Sequence, residues 1–231
     1  MGEQAPKKRG RGRPRLEATE GREDIKRAAL SAFAKHGFRG TSIDQIAVRA
    51  GVAKRLIHYH FGSKDALWQQ AVSEAYEEFR QEALGFAAKV QRGETRNLAQ
   101  VVARQIVRFA AQRVELIQIS IDETRQGGER AEWLSKTYLV PLQQIMTMQL
   151  ALLLGDEQRA KAAAAHMVPA IFGAIVFPFV DADVVQLAHD KDVFEDTYID
   201  EHARYIATLL ETTLSSISAD GSHSGTSPSE S

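Results

Sequence analysis

The chain has 231 residues, enough for one or two domains with a sizeable core, and its 44% hydrophobic share is that of an ordinary globular protein. It contains no cysteine, which excludes disulfides, iron–sulfur clusters and thiolate zinc sites and suits a reducing cytoplasm. The net charge of −1 conceals a division: residues 1–64 hold fifteen Lys or Arg against six Asp or Glu, whereas the remainder holds fourteen against twenty-four, an asymmetry that points to nucleic-acid binding through the basic end.

Residues 7–15, KKRGRGRPR, interleave basic residues with Gly and Pro and offer nothing apolar to bury, so residues 1–18 are expected to form a disordered basic arm. The Arg11-Gly12-Arg13-Pro14 core is similar to an AT-hook, which would place Arg11, Arg13 and Arg15 in the narrow minor groove of A·T-rich DNA. The alternative is a solvated tail making loose phosphate contacts. No apolar segment follows these charges, which argues against a secretory signal. A first helix is predicted over 19–36, with Ile25, Ala28, Ala29, Ala32 and Phe33 on one face and Gly37 ending it.

The next stretch carries the strongest pattern. Ile43, Ile46, Ala47 and Ala50 recur at helical spacing and stop at Gly51, while Ser42 and Gln45 stand in the capping-box arrangement. Val52, Leu56 and Ile57 give a second short apolar face and leave Lys54, Arg55, His58 and Tyr59 pointing elsewhere. Two short helices at a tight turn are how a major groove is read, the second entering it. Taken by spacing alone, an ordinary surface helical hairpin would fit as well.

The residue identities go further. Gly40, Thr41, Ser42, Ile46, Ala47, Ala50, Gly51, Val52, His58, His60, Phe61, Ser63, Lys64 and Leu67 stand in a pattern that closely resembles the recognition segment of the TetR family of bacterial transcription regulators. His58 departs from it, holding a place where Tyr is usual, with Tyr59 next. The resemblance implies an all-α chain: a three-helix DNA-binding head (19–81, helix-turn-helix about 42–63), joined by a long helix to a helical effector-binding and dimerisation domain (82–217). Lys54, Arg55, His58 and Tyr59 are expected at bases or nearby phosphates, and Thr41, Ser42, His60 and Lys64 on the DNA backbone.

Ser63 is expected to cap the long helix, which runs through Leu67, Trp68, Ala71, Val72, Ala75 and Phe79 toward Val90. Further helices are predicted near 95–112, 114–126, 131–154, 157–180 and 198–217, with Pro141 kinking the third of these. No period-two alternation predicts a sheet. Residues 162–180 lack Asp, Glu, Lys and Arg and are long enough for a membrane span, but His166, Pro169, Gly173 and Pro178 interrupt them and burial between subunits fits better. Ile199, Ala203, Ile206, Leu210, Leu214 and Ile217 form a stripe, so two helices from each chain are expected to build a four-helix homodimer contact. Residues 218–231 are Ser-rich and polar and are expected to be a disordered tail.

The resemblance also implies a pocket for a small-molecule effector. Ile117, Ile121, Trp133, Tyr138, Met146, Met148, His166, Met167, Phe172 and Phe177 are candidates for lining it, Trp133 and His166 foremost because each brings a polar group, and an apolar or aromatic effector would suit them. Ordinary core packing is the simpler account of each of these residues taken singly. No cofactor, metal or catalytic residue is expected. His58 and His60 are two apart, about 200° around a helix, and cannot chelate one ion. Glu94, Asp122, Glu123, Asp181, Asp183, Asp190 and Asp192 are scattered, and no phosphate loop, dinucleotide fingerprint or nucleophile elbow is present. The expectation is a cytoplasmic, homodimeric, ligand-responsive repressor on a palindromic operator. A transcriptional activator, an architectural A·T-rich DNA-binding protein without an effector, and an enzyme carrying a DNA-binding head remain the alternatives.

Overall fold

The computed structural model describes residues 15–92 and 98–220, and among these every regular element is helical. They divide into two compact units at Val72 and Ser73. The division lies inside the long helix, ahead of the boundary expected at residue 81.

The first unit holds α1 (Arg15–Gly40), α2 (Ile43–Ala50), α3 (Lys54–Phe61) and the start of α4 (Lys64–Gln91). Helix α1 starts at Arg15 rather than near 19, so the expected arm of residues 1–18 is shortened at its C-terminal end: Leu16, Glu17 and Ala18 are good helix formers and continue the helix back toward Pro14. Arg11 and Arg13, expected in the minor groove, lie outside the described residues. Helix α1 breaks at Gly37, whose φ of 67° is a left-handed value that a residue with a Cβ adopts only under strain. Ile25, Ala29 and Phe33 of α1, Ile46 of α2, Ile57 and Phe61 of α3, and Leu67, Trp68 and Val72 of α4 form the buried interior of this unit. Phe38 bridges Phe33 by stacking (5.8 Å) and Trp68 by an edge contact (6.3 Å).

The second unit contains the rest of α4, then α5 (Leu98–Gln112), α6 (Val114–Gln126), α7 (Glu129–Leu134), α8 (Val140–Leu154), α9 (Glu157–Val180), α10 (Ala182–His189) and α11 (Asp196–Asp220). The single helix predicted over 131–154 is two, joined by a π-helical turn at Ser135–Leu139. Pro141 has no N–H to donate four residues back and its ring crowds the carbonyl there, so the winding loosens just ahead of it instead of kinking. Helix α10 was not anticipated. Its aspartates read in the sequence as scattered, but Asp183 stands in the first turn, where the helix dipole favours it, and Asp190 takes the left-handed conformation (φ 52°) that ends the helix. Helix α11 continues to Asp220, so residues 218–220 of the expected tail are helical, and 221–231 lie outside the described residues.

Helices α5 and α11 pack along each other. Ala103, Val107 and Ala110 of α5 meet Ile199, Ala203, Ile206 and Ala207 of α11 in a core completed by Ile171, Ile175, Val176 and Phe179 of α9. Arg104 donates two hydrogen bonds to Asp200 (3.1 and 2.8 Å) and fixes the register at the surface. This corrects the stripe expected at a subunit contact: Ile199, Ala203 and Ile206 are covered by the chain's own α5 and α9, and α11 exposes Tyr205 and Leu209 instead. Helix α9 is long and apolar enough to cross a membrane by length and composition, and a third of that window is buried inside the chain. Its burial is one-sided, with Phe172 and Phe177 exposed.

Gly51 ends α2 at φ 67°, ψ 26°, and an added Cβ there would meet nothing within 4 Å. Gly51→Ala is therefore expected to cost about 1 to 2 kcal/mol through backbone strain alone. Urea unfolding checks this, since a loss under about 0.5 kcal/mol would mean the turn does not need that conformation.

Candidate nucleic-acid interface and effector cavity

The corner between α1 and α2 sets the interface. Thr41 is 2% exposed, and its hydroxyl hydrogen is shared between the carbonyls of Ala32 (3.0 Å) and Gly37 (2.8 Å) of α1. One residue on, Ser42 caps α2. Its Oγ accepts from the Gln45 amide (3.2 Å) and its own amide donates to Gln45 Oε1 (2.7 Å), the reciprocal box expected from the sequence. Gly51 then turns the chain, and Lys54 at the start of α3 pairs with Asp44 of α2 at 2.8 Å.

Helix α3 buries Ile57 and Phe61, which leaves Lys54, Arg55, His58 and Tyr59 on its solvent side, Tyr59 at 81% exposure. His58 Nδ1 lies 3.2 Å from the carbonyl of Gly62, and a carbonyl can only accept. Nδ1 therefore carries the proton, which makes Nε2 an acceptor in the neutral ring. Helix α3 thus displays two cations, a phenol and an imidazole from one exposed face.

Three residues expected on the DNA backbone are placed otherwise. The Thr41 side chain is turned inward, because the broken end of α1 needs its hydroxyl. Lys64 donates to the Thr41 carbonyl (2.6 Å) and sits over the Phe38 ring (4.3 Å), a cation–π arrangement inside the unit. His60 is half-buried, its Nε2 enclosed with no partner among the described residues. Ser42 remains exposed. Arg15 stands at the first position of α1.

In the second unit a largely apolar cavity of about 330 Å³ opens between α4, α5, α6, α8 and α9. That is within the range of small-molecule sites. Of the residues expected to line it, Ile117, Ile121, Met146 and Phe172 do. The others do not. Trp133 packs edge-on against Tyr138 (5.5 Å), and Tyr138 stacks on the outer side of Tyr76 (4.7 Å). His166, Met148 and Phe177 are exposed, and Met167 packs into the core. Their polar or aromatic character marked them in the sequence, but the phase of each helix decides which side faces the cavity.

Among the lining residues missed are Tyr76 and Phe79 of α4, Phe109 of α5, Ser120 of α6 and Leu142 of α8. Phe79 stacks on Phe109 at 3.9 Å, and the Tyr76 hydroxyl bonds the Ser120 hydroxyl inside the buried wall. Burial pushes the Tyr76 hydroxyl up to about 12, with the Ser120 hydrogen bond pulling the other way. Tyr76 and Phe79 lay in a helix that the sequence marked as a connector. Its apolar positions beyond Val72 were the available signal.

A small basic head that fixes a short helix with an exposed polar face belongs to the helix-turn-helix class of DNA-binding regulators. The comparisons with known proteins specify it. The model for bacterial regulatory proteins of the tetR family matches residues 25–71, and the model for the C-terminal domain of the HTH-type transcriptional dual regulator CecR matches residues 95–217, more than half of the chain. The chain belongs to the TetR family of DNA-binding transcriptional regulators. It is 38% identical over 65 residues to the HTH-type transcriptional repressor NicS of Pseudomonas putida, covering 28% of this chain and 31% of that protein. It is 25% identical over 197 residues to the probable HTH-type transcriptional regulator YttP of Bacillus subtilis, covering 83% and 94%. Matches to the HTH-type regulator RutR of Escherichia coli span 19% of that protein, so the likeness to NicS and RutR covers under a third of their lengths. Among solved structures, a TetR-like regulator from Rhodococcus sp. RHA1 shares the fold with a TM-score of 0.59 at 16% identity, over 87% of this chain and 98% of the other. The regulator FadR of Bacillus subtilis in complex with stearoyl-CoA does so at 0.57 and 18%, over 81% and 96%.

With its ammonium committed inside the head, Lys64 is expected to act on stability more than on phosphate. Lys64→Ala should lower the unfolding midpoint of the head while changing the slope of log K against log salt by well under one unit. A full unit of slope lost without destabilisation would return Lys64 to the phosphate contacts.

Proposed function

We propose that the chain is a homodimeric, effector-responsive repressor that occupies a palindromic operator in the cytoplasm. The observation that carries this reading is the face of α3, where Lys54, Arg55, His58 and Tyr59 stand exposed on a helix whose opposite side is locked into the head. These four would meet base edges or nearby phosphates in the major groove. Ser42 and the basic arm would chiefly contact the backbone, the arm entering an A·T-rich minor groove through Arg11 and Arg13.

Dimerisation has both a geometric and a chemical motive. Two heads about one helical turn of DNA apart, roughly 34 to 36 Å, read two half-sites where one would bind weakly. The exposed apolar side chains Phe177 on α9 and Tyr205 and Leu209 on α11 supply a surface that water would rather not hold. The cavity is the proposed effector site, and a regulator of the same fold, FadR of Bacillus subtilis, is known in complex with stearoyl-CoA. Helix α4 contributes Tyr76 and Phe79 to the cavity and Leu67 and Trp68 to the head interior, so occupancy would bias the heads through it. An effector releases DNA only by preferring the arrangement that misfits the operator. A second reading, activation at some promoters, draws on the CecR dual-regulator model over residues 95–217.

Replacing Arg55 or Tyr59 by Ala is expected to change preference among operator variants by about 1 to 3 kcal/mol at the contacted base pair. Quantitative binding to a panel of single-base variants checks it, and uniform weakening across the panel would assign these residues to the backbone. Removal of residues 1–15 should weaken binding more on A·T-rich than on G·C-rich flanks. Equal losses would reduce the arm to a loose basic tail.

A further inference from the structure

The hydroxyl groups that line the cavity have their hydrogens already committed. Ser120 Oγ lies 2.6 Å from the carbonyl of Leu116, and since a carbonyl only accepts, the serine hydrogen points there. The hydrogen bond between Tyr76 and Ser120 must then be donated by the tyrosine, because Ser120 has no second hydrogen to give. Thr124 is in the same position, its hydroxyl donating to the carbonyl of Ser120 at 2.7 Å. What these lining hydroxyls retain is lone pairs. Their surroundings are apolar: Phe79, Phe109 and Ile117 stand close by, and Glu82 is the only ionisable carboxylate or base among the described lining residues. Glu82 is exposed, so its charge stays solvated at the edge of the cavity.

On the reading of this cavity as the effector site, we propose that the effector is a largely apolar molecule whose polar group donates hydrogen bonds, an amine or hydroxyl and not a carboxylate. A donor reaching Tyr76 Oη finds an acceptor whose own hydrogen is held away from it by Ser120. A carboxylate brings only acceptors, so it would face lone pairs from the hydroxyls and a negative charge from Glu82, and it would lose its hydration without compensation. The Tyr76 phenol is protonated at neutral pH even at its ordinary value of 10.0, and burial only raises it further, so the Tyr76–Ser120–Leu116 chain retains this polarity. The glutamine amides of Gln105 and Gln143 also line the cavity and can turn either way, which leaves the hydroxyl chain and Glu82 to set the preference.

The test uses three probes with one skeleton: decylamine, decanol and decanoate. Each is titrated into the full-length protein by calorimetry, and the same samples are assayed for release from bound operator DNA. Decylamine and decanol are expected to bind at least about tenfold more tightly than decanoate. In Tyr76→Phe the advantage of both over decanoate should shrink severalfold, and in Glu82→Gln the advantage of decylamine over decanol should fall while decanol binding holds. Equal or tighter binding of decanoate overturns the proposal, as does failure of all three probes to bind. Donor-selective binding that leaves the operator complex intact would uphold the cavity chemistry and reject effector-controlled DNA release instead.

Discussion

A single buried threonine ties together the three helices on which the head depends. Thr41 divides its hydroxyl hydrogen between two carbonyls of α1 and offers its own carbonyl to the Lys64 ammonium at the start of α4. It also immediately precedes the residue that caps α2. Direction of the recognition helix follows from this corner, because α3 is related to α2 by only a tight turn at Gly51 and a shared apolar interior. A groove-reading helix works only if its angle is held, and here the holding is done by hydrogen bonds inside the protein before any DNA arrives. The neutral bonds of the threonine hydroxyl are each worth about 1 kcal/mol and the charged one from Lys64 about 1.5 to 3, yet leaving such buried groups unpaired would cost more, so the corner is specified more strongly than its gross stability suggests.

Much of the head was legible because its signals are local. The capping box of Ser42 and Gln45 and the left-handed stop at Gly51 act over four or five residues, and periodicity named Ile46, Ala47 and Ile57 as buried. What sequence could not supply was the choice between two uses of one side chain. Thr41 and Lys64 are the residue types that grip phosphates, but here neighbours several to twenty-three residues away engage them first. The cavity was legible in chemistry and not in membership. An apolar site in the helical body was expected, but each position along a helix turns a side chain by about 100°, so Met146, which lines it, and Met148, two positions on, which does not, stand about 200° apart. Tyr76 and Ser120 meet across forty-four residues, a separation that no periodicity reports.

The acidic body has its own logic. Several of its carboxylates are paired at helix surfaces, as with Arg104 and Asp200 or Arg113 and Glu78, and add little to stability, whereas Glu123 is buried and paired with Arg130 at 3.1 Å. The basic residues collect in the head and arm. Residues 1–64 carry fifteen Lys or Arg against six Asp or Glu, so next to a polyanion that part of the chain is favoured over the acidic remainder.

The wide turn at Ser135–Leu139 gives α8 a property that an uninterrupted helix would lack. A π-helical turn accommodates one residue beyond the α-helical count, so everything after it is rotated by about a quarter of a circle relative to α7. Leu142 and Met146 lie on the side of α8 that lines the cavity. A one-residue change of length within this turn would rotate α8 about its axis and bring other side chains of the same helix to that wall, while the shares of α4, α5, α6 and α9 stayed as they are.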